Sequence, residues 1–323
     1  MNASPIPIID VARFTTGTDP DSLDIARTVA RACEDVGFLV IVGHGVPAAT
    51  VARMHEVCRT FFDLPAAVKR GYEVPGPTST VGYQGMKSAN LASSLGRQGA
   101  APDLRESFSI HRGDVDRSDP YYSNSWAQLL YQPNPWPAQV PDFRTAWLDY
   151  YRELERLARQ LMRIFAVALD LPQAGQLRGG EHTDFGSLTL VHADWSIPGG
   201  LQVRHRALGW MDVPSVPGAF VANLGDLMAQ WTNDKWVSTL HRVANPPRAD
   251  SSTSRRQSLV FFCSPNYDQR VECLSTCRRG GEPDKYPPYL AGHHHLQKLH
   301  KMYGLPLPAE PAMPPPGETS GSP

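Results

Sequence analysis

The residues best placed to do chemistry are His182 and Asp184, in Gly180-Glu181-His182-Thr183-Asp184-Phe185-Gly186-Ser187-Leu188-Thr189-Leu190. If this run is extended, side chains two apart leave the same face, and an imidazole beside a carboxylate is half of a divalent-metal site. A second neutral imidazole would complete the two-His-one-carboxylate set, which leaves half an octahedron open and suits non-haem Fe(II). His241 is the candidate, in Trp236-Val237-Ser238-Thr239-Leu240-His241-Arg242-Val243, where polar and apolar residues alternate as in a strand. A third signal follows in Arg256-Gln257-Ser258, just before the apolar run Leu259-Val260-Phe261-Phe262. Arg256 and Ser258 share a strand face, and a guanidinium beside a hydroxyl is a fork for a carboxylate. A lone His-x-Asp more often marks a solvated turn or a core histidine. Three paired signals in this order favour the metal reading.

These motifs, His182-Thr183-Asp184, His241 and Arg256-Gln257-Ser258, with Asn223-Leu224-Gly225-Asp226 between them, resemble the Fe(II)- and 2-oxoglutarate-dependent dioxygenases of the isopenicillin N synthase-like family. The resemblance extends to Ile6-Pro7-Ile8-Ile9-Asp10 and to Gly37-Phe38-Leu39-Val40-Ile41-Val42-Gly43-His44-Gly45-Val46-Pro47, and so covers most of the chain up to about Tyr303. It implies a mainly β fold with helical additions: a double-stranded β-helix (jelly-roll) core, an N-terminal α/β lobe and a long supporting helix. It implies His182, Asp184 and His241 as ligands of Fe(II), with Arg256 and Ser258 holding the distal carboxylate of 2-oxoglutarate. The resemblance further implies O2 as the oxidant and oxidative decarboxylation of 2-oxoglutarate coupled to oxidation of an unactivated C–H bond of a small molecule, as hydroxylation, desaturation or cyclisation, in specialised metabolism. Beyond the metal ligands no further catalytic residue is assigned. Two other readings stay open: an Fe(II) oxidase that does not use 2-oxoglutarate, like isopenicillin N synthase or the aminocyclopropane-carboxylate oxidases, and a non-catalytic small-molecule-binding jelly roll. The chain departs from the family after Leu171-Pro172, where a longer segment ordinarily carries a strand whose tyrosine or asparagine helps hold the cosubstrate.

The elements that must position these residues can be read from periodicity. Pro5 to Asp10 is a short β-prone run, Asp21 to Asp35 a helix capped by Asp19 or Asp21, and Phe38 to Val42 an apolar strand closed by Gly43-His44-Gly45. His44, between glycines, is read as a backbone hydrogen-bonding residue rather than a ligand. Helices are expected over Thr50 to Phe62, Ala66 to Tyr72, Asp142 to Leu169 and Leu290 to Tyr303. Short strands are expected at Leu188–Val191, Leu201–Val203, Trp210–Val213, Phe220–Asn223, Met228–Trp231, Thr239–Val243 and Ser258–Cys263, a barrel or double-sheet pattern. In the resembled family the segment around Tyr83 and Met86 folds over the barrel mouth. With Arg105 and Phe108 these are candidate substrate-pocket residues, against the competing reading of ordinary packing and charge solvation. The expected organisation is a lobe over 1–115, a connecting segment and long helix over 116–175, the jelly-roll core over 176–285, and a final helix with a Pro-, Gly- and Ser-rich tail over 286–323.

Bulk properties narrow the partners. The 323 residues carry a formal net charge of -1 with no basic field for nucleic acid. No apolar run approaches the roughly 20 residues that span a bilayer, and no secretion signal opens the chain. The five cysteines, Cys33, Cys58, Cys263, Cys273 and Cys277, are expected as reduced thiols. The expected protein is cytoplasmic, a monomer or weak homo-oligomer that binds neither nucleic acid nor membrane and acts on a small-molecule substrate. The run His293-His294-His295 has no carboxylate beside it and is not read as a metal site.

Overall fold

A computed structural model of the chain describes residues 5–15, 17–74, 76, 80–86, 104–112, 115–123, 125–171, 184, 186–193, 200–244, 256–278, 283–303, 305–307 and 309. In chain order the elements begin with β1 (Ile8–Asp10), α1 (Pro20–Asp35), β2 (Phe38–Val42), α2 (Ala48–Phe62), α3 (Ala66–Arg70), β3 (Gly82–Gln84), β4 (Ser107–Ser109), α4 (Pro120–Ser123), α5 (Ser125–Leu130) and α6 (Phe143–Ala168). They continue with β5 (Leu188–Ala193), β6 (Leu201–His205), β7 (Gly209–Asp212), β8 (Phe220–Leu224), α7 (Asp226–Trp231), β9 (His241–Val243), β10 (Ser258–Cys263), β11 (Arg270–Val271), β12 (Tyr289–Leu290) and α8 (Ala291–Tyr303). These divide into two compact units. The first holds Met1–Ala48, Arg152–Asn266 and Val271–Pro288, the second Ala49–Tyr151, Tyr267–Arg270 and Tyr289–Pro323.

The first unit contains a five-stranded sheet in the order β1-β2-β8-β5-β10 and a three-stranded sheet in the order β7-β6-β9. Only β1 and β2 run parallel, and the other ladders are antiparallel. The parallel step needs a crossover, and α1 supplies it. Asp19 caps that helix by accepting from the Ser22 N–H at 2.9 Å. Gly37 ends it at φ +65°, where a Cβ would lie 2.1 Å from the Val237 carbonyl oxygen, so no other residue fits this corner without moving backbone. Leu39 and Ile41 on one face of β2 and Phe38 and Val40 on the other are all buried, which is why the strand reads as a continuous apolar run. Register then assigns faces across the sheet. Phe38 stands opposite Asn223, Val40 opposite Val221, Thr189 opposite Asn223, and Val191 opposite both Val221 and Val260. This face packs on the small sheet, where Phe38, Val40 and Val221 form one cluster with Val203, Val213, Val36 and Ile6. Each such side chain contributes about 1.5 to 3 kcal/mol by leaving water. Further along the same face β10 stays open, with Ser258, Val260 and Phe262 exposed while Leu259, Phe261 and Cys263 are buried.

The second unit is organised around aromatic rings. Phe61 meets Phe108 at 4.8 Å and Phe143 at 5.6 Å between ring centroids, and Trp147 closes on Phe108 at 5.7 Å. Strands β3 and β4 pair with Tyr83 opposite Phe108.

Two expectations from periodicity are corrected. Met228–Trp231 is not a strand: it belongs to α7, which Gly225 precedes as N-cap and Asp226 opens with an acidic first turn. A short apolar run cannot tell helix from strand, and here the start signal decides. Asp184 is likewise not on a strand but in a bend, and β5 begins only at Leu188. His44 serves backbone as expected. Its Nδ1 accepts from the Val46 N–H at 3.0 Å, and its Nε2 donates to the Gly218 carbonyl at 2.8 Å. The five cysteines are all buried, and none forms a disulfide among the described residues. The expected tail and the departure after Leu171 lie largely or wholly outside the described residues.

Candidate active site

Asp184 is 3% exposed and is fixed from two directions. Its carbonyl accepts from the Asp226 N–H at 2.8 Å, while Gly186 accepts from Leu227 at 2.9 Å and Ser187 from Gly225 at 3.2 Å. The bend therefore lies on the start of α7. A Cβ at position 225 would come within 2.3 Å of the Asp184 oxygen and 2.4 Å of that of Gly186, so only glycine permits this approach. The carboxylate is held as well: Asn223 Nδ2 donates to its Oδ2 at 2.6 Å, and the Thr189 hydroxyl donates to the same oxygen. Burial pushes the Asp184 carboxyl above the ordinary carboxylate range, and the nearby His241 and these two hydrogen bonds pull against that shift.

His241 opens β9, opposite Val203 of β6, and so faces the same interior as that valine. Its ring meets Phe38 edge-on at 5.4 Å, and Phe38 stands opposite Asn223, the partner of Asp184. Its neighbour Arg242 anchors the strand on the other side, stacking over Trp210 at 4.0 Å and donating to Gln202 at 2.9 Å. Nδ1 of His241 lies 3.2 Å from the Thr239 carbonyl. Pairing with a carbonyl puts the proton on Nδ1 and leaves Nε2 as the basic nitrogen, the usual state of a ligating imidazole.

Arg256 lies just before β10 and lines a small cavity whose other walls are Val191, Ala193, Leu201, Val213, Ser215 and Val221. Its Nε is shut off from water and has no hydrogen-bond partner among the described residues. Desolvation lowers the guanidinium pKa from its ordinary value. A half-buried guanidinium with one shielded N–H left without a partner among the described residues suits an anion. Ser258, two residues on, is exposed and stands opposite Ala193, another cavity residue.

His182 lies outside the described residues, so the structure brings together two of the three expected ligands. Thr189 and Asn223 were not singled out from sequence as partners of Asp184. The available signal was a polar residue at one position of each of two apolar strands, Leu188-Thr189-Leu190-Val191 and Phe220-Val221-Ala222-Asn223-Leu224. The four expected pocket residues belong to the second unit. Phe108 packs into the aromatic cluster, the Tyr83 hydroxyl donates to Glu106 Oε2 at 2.7 Å, and Met86 and Arg105 are exposed.

Comparison with known proteins gives the class of the chain. Residues 6–139 match the family model described as the N-terminal region of non-haem dioxygenases in morphine synthesis, and residues 161–265 match the 2OG-Fe(II) oxygenase superfamily. A 2-oxoglutarate-Fe(II) type oxidoreductase of Emericella nidulans is 34% identical, over 87% of this chain and 86% of the relative. The validamycin A dioxygenase of Streptomyces hygroscopicus subsp. limoneus is 32% identical, over 85% of this chain and 81% of the relative. The crystal structure of a full-length Neurospora crassa protein in complex with alpha-KG superposes with a TM-score of 0.73 at 26% identity, covering 91% of this chain and 95% of that one. The chain belongs to the 2OG-Fe(II) oxygenase superfamily. It is a non-haem dioxygenase that requires Fe(II), 2-oxoglutarate and O2.

The described residues fit these groups. A buried carboxylate beside an imidazole with a free Nε2 suits a divalent first-row metal. The unpartnered Arg256 Nε suits a dicarboxylic cosubstrate.

Proposed function

We propose that His182, Asp184 and His241 hold the Fe(II), and that Arg256 with Ser258 grips the distal carboxylate of 2-oxoglutarate, in a jelly roll formed by the two sheets of the first unit, with the N-terminal α/β segment and α6 as its additions. The observation that carries this is the buried Arg256 Nε, which has no partner among the described residues, in a mostly apolar cavity beside the sheet that also carries the partners of Asp184. The iron and cosubstrate together supply the oxidation of an unactivated C–H bond. The protein's own residues do the positioning. Thr189 and Asn223 fix which carboxylate oxygen of Asp184 stays turned away, Thr239 fixes the His241 tautomer, and the Val191–Val213–Val221 wall keeps water from the Arg256 ion pair. The prime substrate is a small molecule. Met86 and Arg105, whose side chains are free of the packing that engages Tyr83 and Phe108, are the better candidates to touch it. A cytoplasmic location belongs to the same reading. No helix among the described residues is long and apolar enough to cross a membrane. The test is to follow O2 consumption and succinate release together with Fe(II) and a metabolite panel. Equal amounts of succinate formed and O2 consumed are expected, and O2 consumption without succinate would favour an oxidase that uses no 2-oxoglutarate.

A further inference from the structure

The two described metal-ligand candidates sit on different segments, the bend at Asp184 and the strand β9, and one side-chain pair joins those segments. The Ser238 hydroxyl donates to Asp226 Oδ1 at 3.0 Å. Asp226 is itself bonded through its N–H to the carbonyl of Asp184. On the other side, Ser238 is followed by Thr239, whose carbonyl holds Nδ1 of His241. One carboxylate thus touches the ligand-bearing bend through its own backbone and the approach to the ligand-bearing strand through its side chain. The geometry points to Asp226, acting through Ser238, as a positioning residue that sets the separation of Asp184 and His241 for the metal. This rests on the assignment of Asp184 and His241 as ligands.

The contact is placed to do this without being needed for the core. Asp226 and Ser238 are half-buried and line an open cleft with Gln230 and Asp234, so removing either side chain leaves no void in packed interior. Helix α7 keeps its backbone anchors, because Asp226, Leu227 and Gly225 bond to the bend through their N–H groups whatever side chain stands at 226. Without the Ser238 bond, the segment before β9 loses its link to the bend, and the two ligand atoms should hold their spacing less well. Changes at residues that orient ligands typically weaken metal binding about ten- to a hundredfold.

The experiment titrates Mn(II) into the metal-free protein by electron paramagnetic resonance and records the Co(II) ligand-field spectrum, with Tm alongside. Asp226→Ala and Ser238→Ala should each weaken Mn(II) binding about tenfold or more and shift the Co(II) bands. The double variant should bind no more weakly than Asp226→Ala, because that change already removes the Ser238 bond. Asp226→Asn keeps an oxygen for the Ser238 hydroxyl but removes a negative charge that acts on Asp184, so it should bind Mn(II) more tightly than Asp226→Ala does. Should Asp226→Ala fail to fold, Ser238→Ala carries the same test. Wild-type Mn(II) affinity in Ser238→Ala, additive losses in the double variant, or an Asp226→Asn as weak as Asp226→Ala would each overturn the proposal. Asp184→Ala separates the two readings. If it binds Mn(II) normally, the ligand assignment fails and this inference goes with it; if it loses Mn(II) while Asp226→Ala does not, this inference alone fails.

Discussion

Each unit of the molecule carries a desolvated cation, and the two are treated in opposite ways. In the second unit Lys69 is 7% exposed, yet its ammonium donates to Glu106 Oε2 at 2.8 Å and to the Phe62 carbonyl at 2.9 Å, with the rings of Phe62 and Tyr83 on either side. Glu106 also takes the Tyr83 hydroxyl, whose pKa is pushed up to about 12 by burial and then by that carboxylate. In the first unit Arg256 has an Nε without a partner among the described residues, in a cavity walled by valines, alanine, leucine and Ser215. A structural polar cluster closes on itself. A binding cluster leaves one valence for its ligand, at a cost in stability that ligand binding later offsets.

The sharpest way to break this comparison is to remove the proposed metal ligands. Asp184→Ala and His241→Ala should abolish Fe(II) binding and turnover while the far-UV spectrum stays native, as measured by metal titration and circular dichroism. Full activity in Asp184→Ala would return Asp184 to an ordinary buried aspartate, and full activity in His241→Ala would remove His241 from the proposed ligands. Next in size is Arg256→Lys. It keeps a charge and loses the planar fork, so the apparent KM for 2-oxoglutarate should rise about thirtyfold or more, corresponding to about 2 kcal/mol or more. KM for the prime substrate should change much less. If only the substrate curve moves, Arg256 anchors a substrate carboxylate instead.

Much of this arrangement was legible from sequence because it is local. Ser258–Cys263 reads as a strand because a short run of β-prone apolar residues follows Arg256-Gln257-Ser258, and α1 starts where an Asp stands before a proline. The ordered pair signals at Asp184, His241 and Arg256 also need only spacing. What escaped depends on contacts far apart in the chain. The Asn223–Asp184 bond spans 39 residues, and the bend at Asp184 exists because α7 takes the carbonyls that a strand would use. Met228–Trp231 read as strand for the same reason: in a run this short, apolarity is shared by both periods, and only the preceding Gly225-Asp226 start reveals the helix.

The two cations should also separate in stability. Arg256→Met, which replaces an uncompensated guanidinium with an apolar chain of similar length, should leave the Tm of the ligand-free protein unchanged or raise it. Glu106→Ala strands Lys69 and should lower stability by about 2 kcal/mol, below the roughly 3 to 5 kcal/mol for breaking a fully buried pair because the Glu106 side chain is 26% exposed. Urea unfolding of both variants decides the matter. A loss in Arg256→Met as large as that in Glu106→Ala would mean that Arg256 is already satisfied without a ligand.

The smallest expected effect tests whether the polar groups of the second unit are complete as neutral species too. Desolvation holds both His111 and His295 down at about 4, with His295 adding to the shift of His111, and His111 Nε2 lies 2.7 Å from the Thr80 hydroxyl oxygen. In the unfolded chain each histidine takes up a proton near pH 6.5. Below about pH 6.5 the unfolded state therefore binds more protons than the folded one, so stability is lost as the pH falls from about 6.5 toward 4 and is constant with respect to these groups above that window. At pH 5.5 the loss is about 1 kcal/mol per histidine. His295→Gln removes one titrating group, so its unfolding free energy, measured in urea on metal-free protein, should fall about 1 kcal/mol less than that of wild type between pH 7 and pH 5.5. Parallel curves would mean that His295 is protonated in the folded chain as readily as in the unfolded one, and that the second unit, like the first, holds a polar group it does not satisfy by itself.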